Sequence, residues 1–310
     1  RRPLPFSLPV GMASTFLGML VLALADGFAT MLLAAALIGI GSSVFHPEAS
    51  RVARLASGGR FGFAQSLFQV GGNTGSAVGP LLVALIVLPN GQLHAAWFAL
   101  AAVLGIALLT GVGRWYRAHL AGRPQGRRAV PVPSPVGRRS VITAVAILLA
   151  LTFSKNFYTA AFASYYTFFL IERFGVSVQG AQIQLFVFLG AVAAGTFFGG
   201  PIGDRIGRKP ILWVSILGVL PFSLALPFVG LAGTTILAVI IGLTMASAFP
   251  AIIVYAQELL PGRVGMIAGL FFGFAFGMGG IGAALIGWLA DAQGIERAFQ
   301  LCAVLPAIGL

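Results

Sequence analysis

Long apolar runs separated by short polar turns repeat from one end of the 310-residue chain to the other. A helix that spans a bilayer needs about 20 consecutive apolar residues. On that measure the pattern predicts ten spans, at roughly 4–25, 29–51, 61–88, 94–113, 140–171, 180–203, 210–228, 234–257 and 264–288, with a clipped one from 297. A membrane barrel would show weak alternation over about ten residues, not continuous apolar runs. The fold class is therefore all-α, a polytopic membrane helix bundle.

Composition sharpens this. Hydrophobic residues make up 58% of the chain and charged ones 8%, too few to cover a water-soluble surface, and the 42 glycines suit close packing of helices in lipid. A net charge of +12 would suggest nucleic acid, but the bases are confined to every second connection between apolar runs. They fall at Arg1 and Arg2, at Arg51, Arg54 and Arg60, in the stretch RWYRAHLAGRPQGRRAVPVPSPVGRR, at Arg205, Arg208 and Lys209, and at Arg263. That distribution is a topology signal which puts the basic side in the cytosol, and nucleic acid is excluded as a partner. A single cysteine, Cys302, and three scattered histidines offer no metal cluster, so no metal and no cofactor are expected.

The Arg- and Pro-rich stretch divides the chain into residues 1–113, a basic cytosolic linker at 114–139, and residues 140–310. A shift of 203 positions lays Pro47 on Pro250, Gly59 and Arg60 on Gly262 and Arg263, Gly62 on Gly265, Phe68 on Phe271 and Gly79 on Gly282. The parts before and after the linker are thus repeats. Two spans precede GDRIGRKP in the second half and none precedes RRP in the first, so the first half reads as spans 3 to 6 of a six-plus-six molecule. The second half reads as spans 7 to 12, the last incomplete.

GPIGDRIGRK, from Gly200 through Asp204, Arg205, Gly207 and Arg208 to Lys209, resembles the G-x-x-x-D-R-x-G-R-K signature of the major facilitator superfamily. GIGSSVFHPEASRVARLASGGRFGFAQSLFQVGGNTGSAVGP is similar to the fosmidomycin-resistance branch of that superfamily. The resemblance implies a drug exporter of the bacterial inner membrane that moves a small phosphonate outward in exchange for protons, a monomer whose partners are substrate, protons and lipid. Two signatures depart from the usual form. Val83 stands where the antiporter signature around Gly75 and Pro80 has a last glycine, and Ala35 and Ile38 replace the Arg and Gln of a proton-coupling motif of which Gly39 and Gly41 remain.

Within the spans, polar side chains mark candidate sites. Lys155 lies deep in its run, where a charge costs about 2.5–3.5 kcal/mol on the insertion scale and is functional by default. On a helical wheel Tyr158, Phe162, Tyr165, Tyr166 and Phe169 fall within about 100° of it, a stripe expected to line a central cavity, with Asn156 beside it. Gln65, Gln69, Asn73 and Ser76 form a second polar face expected to meet water or substrate. Gly71, Gly75 and Gly79, running up to Pro80, form a small-residue face expected to pack on Gly195 and Gly199. His46, Glu48 and Arg51 are candidates for proton coupling, Glu48 and Arg51 being spaced to form an ion pair. In the signature loop, Asp204 is placed to accept hydrogen bonds from Arg205, Arg208 or a helix N-terminus of the other half, a latch that would favour the outward-open state.

Export by alternating access is the function this reading favours. Uptake or exchange of an organic anion such as a sugar phosphate would suit Lys155 equally. A membrane-embedded enzyme would need a catalytic constellation that three scattered histidines and one intramembrane glutamate do not supply. The G-x-x-x-x-G-K-[ST] phosphate loop of ATP-driven machines is missing from the sequence.

Overall fold

The computed structural model describes residues 4–122 and 137–309. The Arg1-Arg2-Pro3 segment and the centre of the basic linker lie outside the described residues. Each apolar run forms helix, since only a helix satisfies its own backbone in lipid. The order is α1 (Ser7–Ala23), α2 (Phe28–Ala56), α3 (Phe61–Leu82), α4 (Leu88–Asn90), α5 (Ala99–Ala121), α6 (Arg138–Phe174), α7 (Val178–Ile206), α8 (Arg208–Leu217), α9 (Leu220–Ala225), α10 (Leu231–Ala246), α11 (Phe249–Leu259), α12 (Val264–Gln293) and α13 (Ile295–Cys302). Among the described residues eight helical stretches are long and apolar enough to cross a membrane. Two of the ten expected spans fall short of that. The first run is a 17-residue helix, and the last is α13 followed by a 3-10 turn.

Helices outrun the apolar stretches that predicted them. α5 continues to Ala121, through the first residues of the expected linker, because Ala, Leu and Arg propagate a helix as well beyond the bilayer edge as within it. Gly175, at φ +65°, ends α6 in the left-handed conformation, and Gly207, at φ +91°, separates α7 from α8. Two spans are interrupted within their length. One breaks between α8 and α9, ahead of Pro221, and the other between α10 and α11, ahead of Pro250. α2, by contrast, runs on through Pro47, the repeat partner of Pro250. α3 gives way after Pro80 to a five-residue π turn, Val83–Val87.

α1 packs against α2 and α5 in the first half, and in the second α6 packs against α7 and α12, and α7 against α10. The halves meet where α3 runs along α7 and α2 along α12. The core of the second half is aromatic. Phe162, Tyr166, Phe169, Phe188 and Phe299 are buried together, with ring centroids of Phe169 and Phe299 4.4 Å apart. Positions that the 203-residue shift pairs also touch. Arg54 donates to the Gln257 side chain at 2.9 Å, and these positions are 203 apart, so equivalent residues of the halves meet at the basic end.

Candidate functional site: a cavity between the halves

A cavity of about 620 Å³ lies between the two bundles, walled by α2 and α3 on one side and by α6, α7, α10, α11 and α12 on the other. Lys155 is part of its wall, and the side chain is buried. Its ammonium donates to the backbone carbonyl of Met245 at 2.9 Å and to that of Ser215 at 3.4 Å. Both carbonyls belong to last turns, of α10 and α8, where helical backbone oxygens lack intrahelical partners and the helix dipole is negative. The helix interruptions thus supply oxygens to hold a cation in the interior. An ammonium has three N–H groups, and two are taken.

Asn156 and Thr159 line the cavity beside Lys155, Asn156 donating to Thr152 O at 2.9 Å and Thr159 to Lys155 O at 2.8 Å. The aromatic stripe does not line it. Tyr158, Phe162, Tyr166 and Phe169 share the lysine's face of α6, but along the helix that face is covered by α7 and α13, which makes them core. The Tyr158 hydroxyl is 3.0 Å from that of Ser223, which donates to Ala303 O at 2.9 Å. Tyr165 instead donates to Ala283 O at 2.8 Å, on the α6–α12 interface. Tyr158, Phe162, Tyr166 and Phe169 keep the expected face but lie at a depth that α7 and α13 cover, whereas Tyr165 faces α12.

The polar face of α3 divides in the same way. Gln69, Asn73 and Ser76 reach the cavity, and Asn73 donates across the seam to the Thr196 hydroxyl at 2.7 Å. Gln65, one turn nearer the basic end, is buried where the halves have closed, its side-chain oxygen accepting from Ser50 at 2.8 Å. It joins α2 to α3 outside the cavity wall.

The glycine seam is corrected too. A Cβ placed on Gly75 or Gly79 would meet no atom within 4 Å, and Gly71 lines the cavity. Gly195 and Gly199 turn the other way, so close to α10 and the residue that follows it that a Cβ would run into Leu243 O and Ser247 O. α3 and α7 do pack, through Gly62, Ser66 and Asn73 against Gly200, Asp204 and Thr196. A polar and small face makes the seam, because only there do side-chain partners and close approach coincide.

His46 is in the cavity wall, its Nδ1 3.1 Å from both the hydroxyl and the carbonyl of Ser42 and its ring within 4.8 Å of Phe276. Glu48 and Arg51 pair at 3.4 Å outside that wall.

At the basic end the signature loop joins the halves. The Asp204 carboxylate accepts from the backbone N–H of Phe63, in the first turn of α3, at 3.2 Å. Arg208 stands 4.0 Å from Asp204 and 2.7 Å from Glu258 of α11, which it joins to the loop's network. Gly200 meets Ser66, and Arg205 and Lys209 are exposed. The Arg54–Gln257 contact, which motif reading missed, adds a further link, and the 203-residue shift was the signal that could have found it.

Two helix bundles, joined at one end, that enclose a largely apolar cavity with a buried lysine in its wall have the architecture of a membrane transporter. The chain belongs to the Major Facilitator Superfamily, which it matches over residues 3–280, and within it to the family of the fosmidomycin resistance protein. It is 59% identical to the fosmidomycin resistance protein of Escherichia coli, over 99% of this chain and 76% of that one. It is 43% identical to an uncharacterized MFS-type transporter of Bacillus subtilis, over 100% of this chain and 76% of the relative. Among solved structures the fold is similar to that of FucP in the outward conformation, with a TM-score of 0.69 at 17% identity, covering 97% of this chain and 80% of that one. It is also similar to the human organic anion transporter TETRAN, with a TM-score of 0.74 at 16% identity and 99% of this chain covered.

Proposed function

We propose that this transporter exports a small organic anion, a phosphonate resembling fosmidomycin, across the bacterial inner membrane by alternating access. The observation that carries the reading is Lys155, a buried cation whose ammonium is held by two carbonyls at the cavity wall and keeps one N–H for a ligand. Asn156, Gln69 and Asn73 surround the cavity with amides that can bond phosphonate oxygens, and Phe272 and Phe276 offer apolar surface to a short carbon chain. A relative with 59% identity is named for resistance to such a compound.

In this reading Asp204, Arg208 with Glu258, and Arg54 with Gln257 hold the basic ends of the halves together while the cavity faces the other side. Rocking to the cytosolic-open state breaks these contacts and exposes Lys155 to the cytosol, where the anion binds. Proton exchange, which the family resemblance implies, needs a base that gives up its proton as the anion leaves. Glu48, with one carboxylate oxygen buried and lacking a hydrogen-bond partner among the described residues, is the candidate for it. Expression in a bacterium sensitised to fosmidomycin tests the reading. Tolerance should rise with the wild-type chain and not with Lys155→Gln. No gain with the wild type would favour uptake or exchange of another organic anion at the same lysine.

A further inference from the structure

Six rings of the cavity wall stand together, Phe45 and His46 on α2, Phe68 on α3, Phe249 on α11, and Phe272 and Phe276 on α12. His46 is the hub, its ring centroid 6.2 Å from that of Phe68, 5.4 Å from Phe272 and 4.8 Å from Phe276. Phe68 and Phe272 are 6.1 Å apart, and Phe249 meets Phe272 edge to face at 5.7 Å. These separations fall within the roughly 4.5–7 Å at which aromatic pairs attract. The cluster is cohesive and draws on both halves, yet it is not closed. Phe45, Phe68 and Phe249 are half-buried and Phe276 is 55% exposed.

The rings lie close to the cation. Phe249 is four residues beyond Met245, whose carbonyl accepts from the Lys155 ammonium. Phe276 comes one turn before Gly279, which faces Ala160 and Asn156 of α6. Charge and rings are thus separated by about one helical turn, roughly 5 Å. The cavity's volume of about 620 Å³ falls in the range of roughly 300–1,000 Å³ that takes drug-sized ligands. A short-chain phosphonate can engage the lysine and the amides but covers few of the rings.

We propose that the preferred substrates of this cavity are anions that carry an aromatic ring on a short linker, such as arylalkyl phosphonates. The anionic group sits on Lys155 and the ring packs among Phe68, Phe249, Phe272 and Phe276. The proposal rests on the anion reading above and deepens it by naming the substrate class. A short-chain phosphonate is then a substrate that uses the headgroup site alone.

Competition against a radiolabelled fosmidomycin-like phosphonate on the purified protein compares propylphosphonate with 3-phenylpropylphosphonate. Burial of the added ring should make the phenyl compound tighter by about 10- to 100-fold. Phe249→Leu and Phe276→Leu keep apolar bulk and remove a ring, and each should cut that preference by about 3- to 10-fold. Equal affinity of the two compounds overturns the proposal and leaves the anion reading standing. So does a preference that both variants keep in full, because the added ring then gains its affinity away from the cluster. Uncharged 3-phenylpropanol binding as tightly as the phenyl phosphonate overturns the anion reading together with the proposal. Binding of no phosphonate at all also overturns both.

Discussion

Substituting Gly62 or Asp204 should unlock the basic end of the molecule. The Asp204 carboxylate sits directly against Gly62 and accepts the Phe63 N–H at 3.2 Å, which ties the loop of the second half to the first turn of α3. A charge-assisted hydrogen bond contributes about 1.5–3 kcal/mol and the helix terminus about 0.3–1 kcal/mol. The Asp204 side chain is 35% exposed, so water competes and screening applies, which places the sum near the low end, about 1–2 kcal/mol. At 1.4 kcal/mol per tenfold, Asp204→Ala should shift the ratio of cytosol-closed to cytosol-open molecules by about 5- to 30-fold. Gly62→Ala should act in the same direction by a different route, its methyl group displacing the carboxylate. The assay is a spin-label distance distribution between cysteines placed at Arg60 and Arg263, repeat-related positions in the two loops, with the buried Cys302 first replaced by alanine. Both variants should populate a longer distance that is minor in the parent. An unchanged distribution in Asp204→Ala would refute the role assigned to the loop.

Two further outcomes follow from the packing. Gly199→Val should destabilise the fold by about 1–3 kcal/mol, because its side chain meets the Ser247 carbonyl, whereas Gly75→Ala and Gly79→Ala, facing open space, should leave thermal stability within about 0.5 kcal/mol of the parent. Thermal unfolding in one detergent compares them, and equal loss in all three would contradict the packing. Tyr158→Phe should leave phosphonate affinity unchanged while lowering stability by about 1 kcal/mol, the hydroxyl's contact with Ser223 being lost. A large drop in affinity would return Tyr158 to the substrate site.

Bundle and family were legible in the sequence, because a bilayer imposes a length on every apolar run and the signature loop fixes residues at set spacing. Lys155 was legible for the same reason, a charge being costly within a span. What holds it was not. Its partners are two main-chain carbonyls released where α8 and α10 end, and backbone acceptors leave no trace in side-chain identity. The wheel placed Tyr158 and Gln65 on the right faces, but which turns are covered depends on where neighbouring helices cross, a property of the assembled halves. Likewise the stripe of Gly71, Gly75 and Gly79 satisfied the small-residue pattern with no helix to meet it among the described residues, while Gly195 and Gly199 used the same pattern against α10. Spacing tells that a face is smooth, not what lies across from it.

The most direct measurement is equilibrium binding of a radiolabelled phosphonate to purified wild-type protein and to Lys155→Gln at one pH and salt concentration. Glutamine keeps N–H donors for the two carbonyls and removes the charge, so folding is held while the anion's partner is taken away. Loss of a hydrogen bond to a charged group, about 1.5–3 kcal/mol, should weaken binding by about 10- to 150-fold. Equal affinity in the two proteins would contradict the assignment of the cavity to an anion.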